Sequence, residues 1–359
     1  MTTPLPLAAM QDEMLNAVLA FLSLDEVISL ACASKTLRAG LHAASIDFWR
    51  HLELADATST SLRQLVPFAK HIQTLTCMKS TASEEVWIHF ACHTQLLQVL
   101  NVAGSKHFTD VALASFVDSN AASLVEVHAD NCAYIATTLS LAKCTPRLRV
   151  LSFNRCRQLT TNDMIGLVVN APQLTVLNLK GCPHINPVAV LTSVASNCPQ
   201  LHTLTLGGSG RFAKDTNLHL ASAFNSFTTS LALECLDLSC SNPFGSRSPL
   251  SNDGLVPVLR SSPRLKALYL KGHSNLTRDV LDAMPRGLTT LDLTGCTQLA
   301  SDLNALADLK SLEQLVMLWC PNVDVAALQL LQDTNANLTK VDVEATVVAE
   351  STTQLVGVH

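Results

Sequence analysis

Twelve histidines and twelve cysteines are the side chains of this 359-residue sequence best suited to metal binding or nucleophilic chemistry. Their spacing supports neither. No C-x-x-C pair occurs, and Cys182-x-His184 and the adjacent Cys92 and His93 lack partners at ligand spacing, so no zinc site is expected. His128 and Asp130 lie two residues apart, which puts them on one face of a strand, but no nucleophile accompanies them. The run Gly207-Gly208-Ser209-Gly210 lacks the Lys-Ser/Thr ending of a phosphate-binding loop, and Lys214 is followed by Asp215. No G-x-S-x-G nucleophile elbow is present. The residues point to no active site, no metal and no cofactor.

Composition narrows the class further. Hydrophobic residues make up 48% of the chain and charged residues only 15%, so a large core can be buried and disorder over most of the length is excluded. Aromatics are 4%, which predicts an aliphatic core. A net charge of −5 leaves no electrostatic footprint for nucleic acid. No apolar run reaches the length of a membrane span, and the first Lys or Arg is Lys35, so neither a membrane segment nor a basic leader is expected. Cysteines without an export signal read as reduced thiols, and the expected location is cytoplasmic or nuclear.

The elements that must position these residues emerge from an internal repeat. The pattern L-x-x-L-x-L-x-x-C is matched by Leu174, Leu177, Leu179 and Cys182; by Leu148, Leu151, Phe153 and Cys156; by Leu288, Leu291, Leu293 and Cys296; by Leu312, Leu315, Met317 and Cys320; and by Leu124, Val127, Ala129 and Cys132. The frame recurs without the cysteine from Ile72, Leu97, Leu201, Leu233, Leu265 and Leu338. Eleven repeats result, most 23 to 27 residues apart with two intervals of 32. Trp49, Leu52 and Leu54 fit the frame 23 residues before Ile72, with Leu62, Leu65 and Val66 supplying a matching helix for a zeroth repeat.

Each L-x-L core predicts a short strand with its aliphatic side chains turned inward. The second half of each repeat has helical spacing. Asn186 is expected to cap a helix opened by Pro187 that buries Val190, Leu191 and Val194; Thr161 or Asn162 is expected to start one that buries Met164, Leu167 and Val168. No repeat can bury its apolar face alone, so the units must stack. The sequence resembles the cysteine-containing class of leucine-rich repeats. The resemblance implies an α/β right-handed solenoid with a curved parallel sheet inside and helices outside. It places Cys132, Cys156, Cys182, Cys296 and Cys320 in a ladder at the turn leaving each strand, with Cys92, Cys144 and Cys198 near helix ends.

The N-terminal residues follow a different pattern. Leu15, Val18, Leu19 and Leu22 fall on one helical face, Ser23 and Glu26 form a capping box before Val27, Leu30 and Ala31, and a third short helix around Lys35 to Leu41 leads to Phe48 and Trp49. Asp12, Glu13, Phe21, Leu22, Asp25, Ser34, Lys35 and Trp49 match the pattern of an F-box, which this segment resembles; the usual Leu-Pro opening is Met10-Gln11 here. The expected organisation is a tail (1–9), an F-box-like three-helix domain (10–50), about 11 to 12 leucine-rich repeats of 23 to 32 residues (49–345) and a C-terminal cap (346–359). A plain helical cap on the solenoid is the alternative for residues 10–50.

The repeat frame also names the side chains available to a partner, those two, four and six residues after each first aliphatic. They are Glu126, His128 and Asp130, Asn154, Asn178 and Lys180, Asp237, Tyr269 and Lys271, Asp292 and Lys340. Their mixed polarity suits a protein surface. The two 32-residue repeats carry long loops, Gly207 to Asp215 and Ser239 to Pro249, in which Arg211 and Phe212 with Lys214, and Phe244 with Arg247, are candidate contacts.

The family resemblance implies a substrate-recognition subunit of a Skp–cullin–F-box (SCF-type) ubiquitin ligase, not an enzyme itself. Leu15, Leu19, Phe21, Leu22, Val27 and Leu30 would divide between the F-box core and a Skp-type adaptor, and the repeats would hold a protein substrate. The alternative is a non-catalytic scaffold in a large cytoskeletal or axonemal assembly. A third reading places a small anion near Lys180 and Lys271.

Overall fold

A strand of three residues has too few hydrogen bonds and too little apolar surface to persist alone, and this chain is built almost entirely from such strands. The computed structural model describes residues 26, 49–210, 215–225, 230–240, 250–299, 303–320, 323 and 325–343. The chain divides into two compact units, Met1–Leu148 and Arg149–His359. In the first, strands β1 (His51–Ala55), β2 (Thr74–Met78), β3 (Val99–Asn101) and β4 (Glu126–His128) pair in parallel, each with the next. Helices α1 (Ser59–Leu65), α2 (Glu84–Ala91) and α3 (Asp110–Asn120) return the chain. In the second, β5 (Val150–Ser152), β6 (Val176–Asn178), β7 (Thr203–Thr205), β8 (Cys235–Asp237), β9 (Ala267–Tyr269), β10 (Thr290–Asp292), β11 (Gln314–Met317) and β12 (Lys340–Val343) follow the same rule. Their connections include α4 (Thr161–Val168), α5 (Pro187–Asn197), α6 (Thr216–Asn225), α7 (Asn252–Arg260), α8 (Arg278–Asp282) and α9 (Val325–Thr334). These are the leucine-rich repeats that the spacing predicts.

The repeat frame is the register of the sheet. Leu52 pairs with Leu75 and Leu75 with Leu100; in the second unit Leu151, Leu177, Leu204, Leu236, Leu268, Leu291 and Leu315 pair in succession. All of them are fully buried. Asn186 caps α5 by accepting from the N–H groups of Val188 and Ala189, with Pro187 at the first position and Val190, Leu191 and Val194 buried. α4 starts at Thr161, as expected, and its cap is Thr160. Its hydroxyl and the Asp163 carboxylate close a capping box that neither Thr161 nor Asn162 could form, and Met164, Leu167 and Val168 are buried as expected. The return path is not helical throughout: Leu139–Lys143, Thr145–Arg147 and Leu303–Asp308 are 3-10 turns.

The expectation of a wholly aliphatic core fails in the first unit. Trp87 meets Phe108 and Phe116 edge-on at 5.3 and 6.1 Å, and Trp49 stacks on Phe68 at 4.0 Å. Trp49, Phe68, Trp87, Phe90, Phe108 and Phe116 are all buried in this unit.

The cysteine ladder has a specific bonding rule. The thiol of Cys132 donates to the carbonyl of Val102, that of Cys182 to Phe153, that of Cys296 to Leu270 and that of Cys320 to Leu293. In each case the donor stands eight residues into its repeat and the acceptor five residues into the repeat before. In three repeats without a cysteine at this place another donor does the work, Ser105 to Cys77, Ser209 to Leu179 and His273 to Leu238, whereas Ser80 donates instead to the carbonyl of Ala57, eight residues into the repeat before. The slot therefore requires a small buried donor, and a thiol is one solution. Burial raises the Cys132 thiol to about 12, so it stays protonated and able to donate. The imidazole of His273 is fully buried. Its Nε2–H must be the donor to the Leu238 carbonyl at 2.8 Å, which leaves Nδ1 to accept from the Cys240 thiol at 3.6 Å.

Two predictions follow from this ladder. Cys182→Ser should leave stability nearly unchanged, while Cys182→Ala should cost about 0.5–1.5 kcal/mol by removing one of the two donors on the Phe153 carbonyl, which keeps the Cys156 N–H, read from urea unfolding. Burial lowers the His273 pKa from 6.5 to about 4. The unfolded chain then binds a proton that the native chain refuses, so stability is full above pH 6.5 and falls as pH drops toward 4. His273→Ser should remove that part of the acid sensitivity, about 2 kcal/mol between pH 7 and 5, seen as a flatter pH profile of the urea midpoint.

Candidate functional site

The side chains at positions two, four and six of each repeat leave the sheet on the face opposite the helices. The structure puts the expected contacts there but gives several of them internal work. At position four an Asn or Asp turns back to accept the N–H of position six: Asn178 from Lys180, Asp237 from Ser239, Asp292 from Thr294 and, in the first unit, Asn101 from Ala103. These Asx turns end the strands, which accounts for the recurrence of Asn and Asp without invoking a ligand.

In the second unit the centre of the face is one polar cluster. Lys180 on the repeat of β6 reaches past β7 to Asp237 on β8, with Nζ 3.0 Å from Oδ2. Asp237 is not the surface residue the spacing predicts, because its side chain is only 3% exposed while Lys180 remains 57% exposed. The crossing is possible because the intervening residue is Gly207; a Cβ there would lie 2.3 Å from an Asp237 carboxylate oxygen. Asn178 also accepts from the Thr205 hydroxyl at 2.6 Å. Tyr269 is half-buried beside this cluster, and burial, then the charges of Cys235 and Asp237, push its phenol pKa up and keep it neutral. Burial likewise raises the Cys235 thiol.

The edge where the strands exit has a different character. Among the described residues all ten left-handed residues stand at position seven: Asp56, Lys79, Gly104, Asn131, Arg155, Gly181, Gly208, Gly272, Gly295 and Trp319. Glycine enters this conformation freely, whereas a bulky L residue is strained there by about 1–2 kcal/mol. Trp319, at φ 56°, is the bulkiest of them and is 38% exposed. The Lys271 ammonium lies 4.7 Å from the centre of its ring. Neither Trp319 nor Arg155 was selected from the strand-face pattern, which stops one residue short of this turn. A Trp where other repeats have Gly is nevertheless a signal visible in the sequence.

The remaining expected residues are dispersed. His128 is 3.5 Å from Glu126, and both lie in the first unit. Asn154 is half-buried at a strand exit, and Lys340 pairs with Asp342 on β12. Leu15, Leu19, Phe21, Leu22, Val27 and Leu30 lie outside the described residues, as do Arg211, Phe212, Lys214, Phe244 and Arg247. Between α5 and α6 a cavity of about 390 Å³ is lined by Asn186, Thr192, Thr216 and the Asp215–His219 pair, whose atoms are 2.8 Å apart. Among the described residues no group of three or more His, Cys, Asp or Glu could hold a metal ion, and no helix is long and apolar enough to cross a membrane.

No family model and no curated protein matches the chain. Solved structures match its fold. The Rad7 chain of the yeast Rad7–Elc1 complex is similar with a TM-score of 0.55 at 17% identity, over 88% of each chain. An internalin, InlF of Listeria monocytogenes, is similar with a TM-score of 0.53 at 16% identity, over 97% of this chain and 95% of that one. At these identities the likeness establishes the leucine-rich-repeat fold.

The dependence of the Lys180–Asp237 pair on a missing side chain is directly testable. Gly207→Ala should destabilise the protein by about 1–3 kcal/mol in urea unfolding, because the methyl group would displace a buried carboxylate from its partners. Gly166→Ala is the control. It is a helix-interior glycine with nothing within 4 Å of the added Cβ, and it should stabilise by about 0.5–1 kcal/mol.

Proposed function

We propose that this chain is the substrate-recognition subunit of an SCF-type ubiquitin ligase, with residues 10–50 as an F-box docking on a Skp-type adaptor and the repeats holding a protein substrate. In this reading the chain catalyses nothing. It raises the effective concentration of substrate lysines near the conjugating enzyme, a gain that depends on a fixed distance between the two docking ends.

The observation that carries the reading is Trp49. It closes the F-box-like motif in sequence, and it is also fully buried and stacked on Phe68, two residues before a strand that pairs along its whole length with β2. In this reading a docking module ending at Trp49 would share that residue with the core of the first repeat. The Rad7 chain, similar in fold, was solved bound to a second protein, Elc1, which agrees with a repeat protein acting through partners. The adaptor contacts would come from Leu15, Leu19, Phe21, Leu22, Val27 and Leu30.

The test is co-purification of the full chain with a Skp-type adaptor, beside a Leu19→Asp, Leu22→Asp variant whose circular dichroism and melting confirm its fold. One-to-one capture by the wild type, lost in the variant, is the expected result. A folded wild type that captures no adaptor would overturn the ligase reading. The Met10-Gln11 departure from the F-box opening makes that outcome meaningful, and it would favour a scaffold with a helical cap.

A further inference from the structure

The last turn of α2 brings two histidines together. His89 lies within the helix, and His93 stands one residue past its C-cap, Cys92. Both are exposed, in a stretch of chain described without a break from residue 49 to 210. Their ring centres are 4.8 Å apart, with the planes inclined at 64°. His89 is the partner, four residues before His93, that cysteine spacing does not register. The Nδ1 atom of His93 is 2.8 Å from the His89 carbonyl. A carbonyl only accepts, so Nδ1 carries the hydrogen and, in the neutral ring, Nε2 keeps its lone pair. This bond caps the helix C-terminus, and that role uses Nδ1 alone. It is also the bond by which ligating histidines fix their tautomer and hold the ring in place. The His89 ring makes no hydrogen bond or ion pair among the described residues.

We propose that His89 and His93 form a two-imidazole chelate for a late divalent transition ion of the nickel, copper and zinc class. The site goes beyond the recognition role proposed above and does not rest on it. Two histidines four residues apart on one helix face are the spacing by which helical zinc sites supply their imidazoles. Two rings on one ion, at a metal–nitrogen distance of about 2.0–2.1 Å and a cis angle of roughly 90–110°, have centres about 4.5–5.2 Å apart. The observed 4.8 Å falls within that range, so binding asks the rings to turn and leaves the backbone in place. Glu85 stands one turn before His89 and Cys92 stands beside His93, both exposed. Neither completes a triad, since no group of three His, Cys, Asp or Glu among the described residues could hold an ion. The site is therefore a pair, and water fills the ion's other positions. Buried Phe90 stands where the H-E-x-x-H motif has its general base, so the pair binds an ion without activating a water for hydrolysis. Imidazole donors favour nickel, copper and zinc, whereas magnesium takes oxygen ligands.

The probe is nickel(II) alone, titrated by calorimetry into the untagged full chain near neutral pH, with zinc(II) and magnesium(II) for comparison. Nickel and zinc should fill one dominant site per chain, and magnesium should not bind. His89→Gln and His93→Gln should each lower nickel affinity roughly tenfold or more, because one imidazole without the other is an ordinary surface histidine. The double variant should lose little more than either single one, a non-additivity that a merely structural role would not give. Saturating nickel should raise the urea midpoint of the wild type and of neither single variant, since the ring spacing exists only in the folded helix. Melting of each variant without metal confirms its fold. Cys92→Ser should leave the affinity unchanged, as should His219→Gln, which removes the imidazole of the one-turn pair with Asp215. Unchanged affinity in a folded His89→Gln variant, an equal loss in Cys92→Ser or His219→Gln, or magnesium binding as tightly as nickel would overturn the proposal.

Discussion

Everything in this molecule depends on stacking in register. A repeat with a three-residue strand can satisfy its backbone and bury its central aliphatic only against a neighbour of the same phase. The Leu-to-Leu register of the sheet meets both needs, and the donor at position eight, bonded to the carbonyl at position five of the preceding repeat, adds a second tie between neighbours. The two constraints operate on different atoms and point to the same phase. A slip of one residue would turn the leucines outward and would also remove the side-chain donors from a row of buried carbonyls.

That phase decides which residues are free for recognition. Positions three, five and eight belong to the core, and position four largely belongs to the turn that ends each strand. Position seven must be left-handed, which favours glycine and disfavours bulk. A recognition surface on such a scaffold is therefore confined to a narrow set of places, chiefly position six and the outer part of the exit turn. The Lys180–Asp237 pair occupies the centre of the face in the second unit and makes it partly self-satisfied.

The frame was legible because its signal is periodic and repeated. Leu174, Leu177, Leu179 and Cys182 state the same rule as Leu288, Leu291, Leu293 and Cys296, and errors at one repeat are corrected by the others. The α5 cap was legible because Asn186-Pro187 has a single local reading. What escaped was contact between repeats. Nothing in the spacing indicates that Lys180 reaches Asp237 across a glycine 27 residues on, because that geometry depends on the absence of a side chain on the strand between. The aromatic cluster around Trp87 escaped for a related reason: composition counts aromatics over the chain and is silent on their gathering in one unit. The start of α4 at Thr161 was legible, while its cap at Thr160 turned on which adjacent polar residue could close a box with Asp163.

In a periodic scaffold the conforming residues explain themselves, so residues that break the rule while the fold persists carry more information about use. Three kinds of departure occur here, and physics separates them. His273 breaks the small-donor rule but still donates to the expected carbonyl, so it is a substitution within the ladder. Gly207 departs by having no side chain, and the Lys180–Asp237 crossing accounts for it. Trp319 departs by placing the largest side chain where backbone conformation is least hospitable to one, and its ring meets the Lys271 ammonium. The first two departures are settled by named contacts. The third keeps the bulkiest side chain in a left-handed turn at a cost of about 1–2 kcal/mol, part of which the cation–π contact returns.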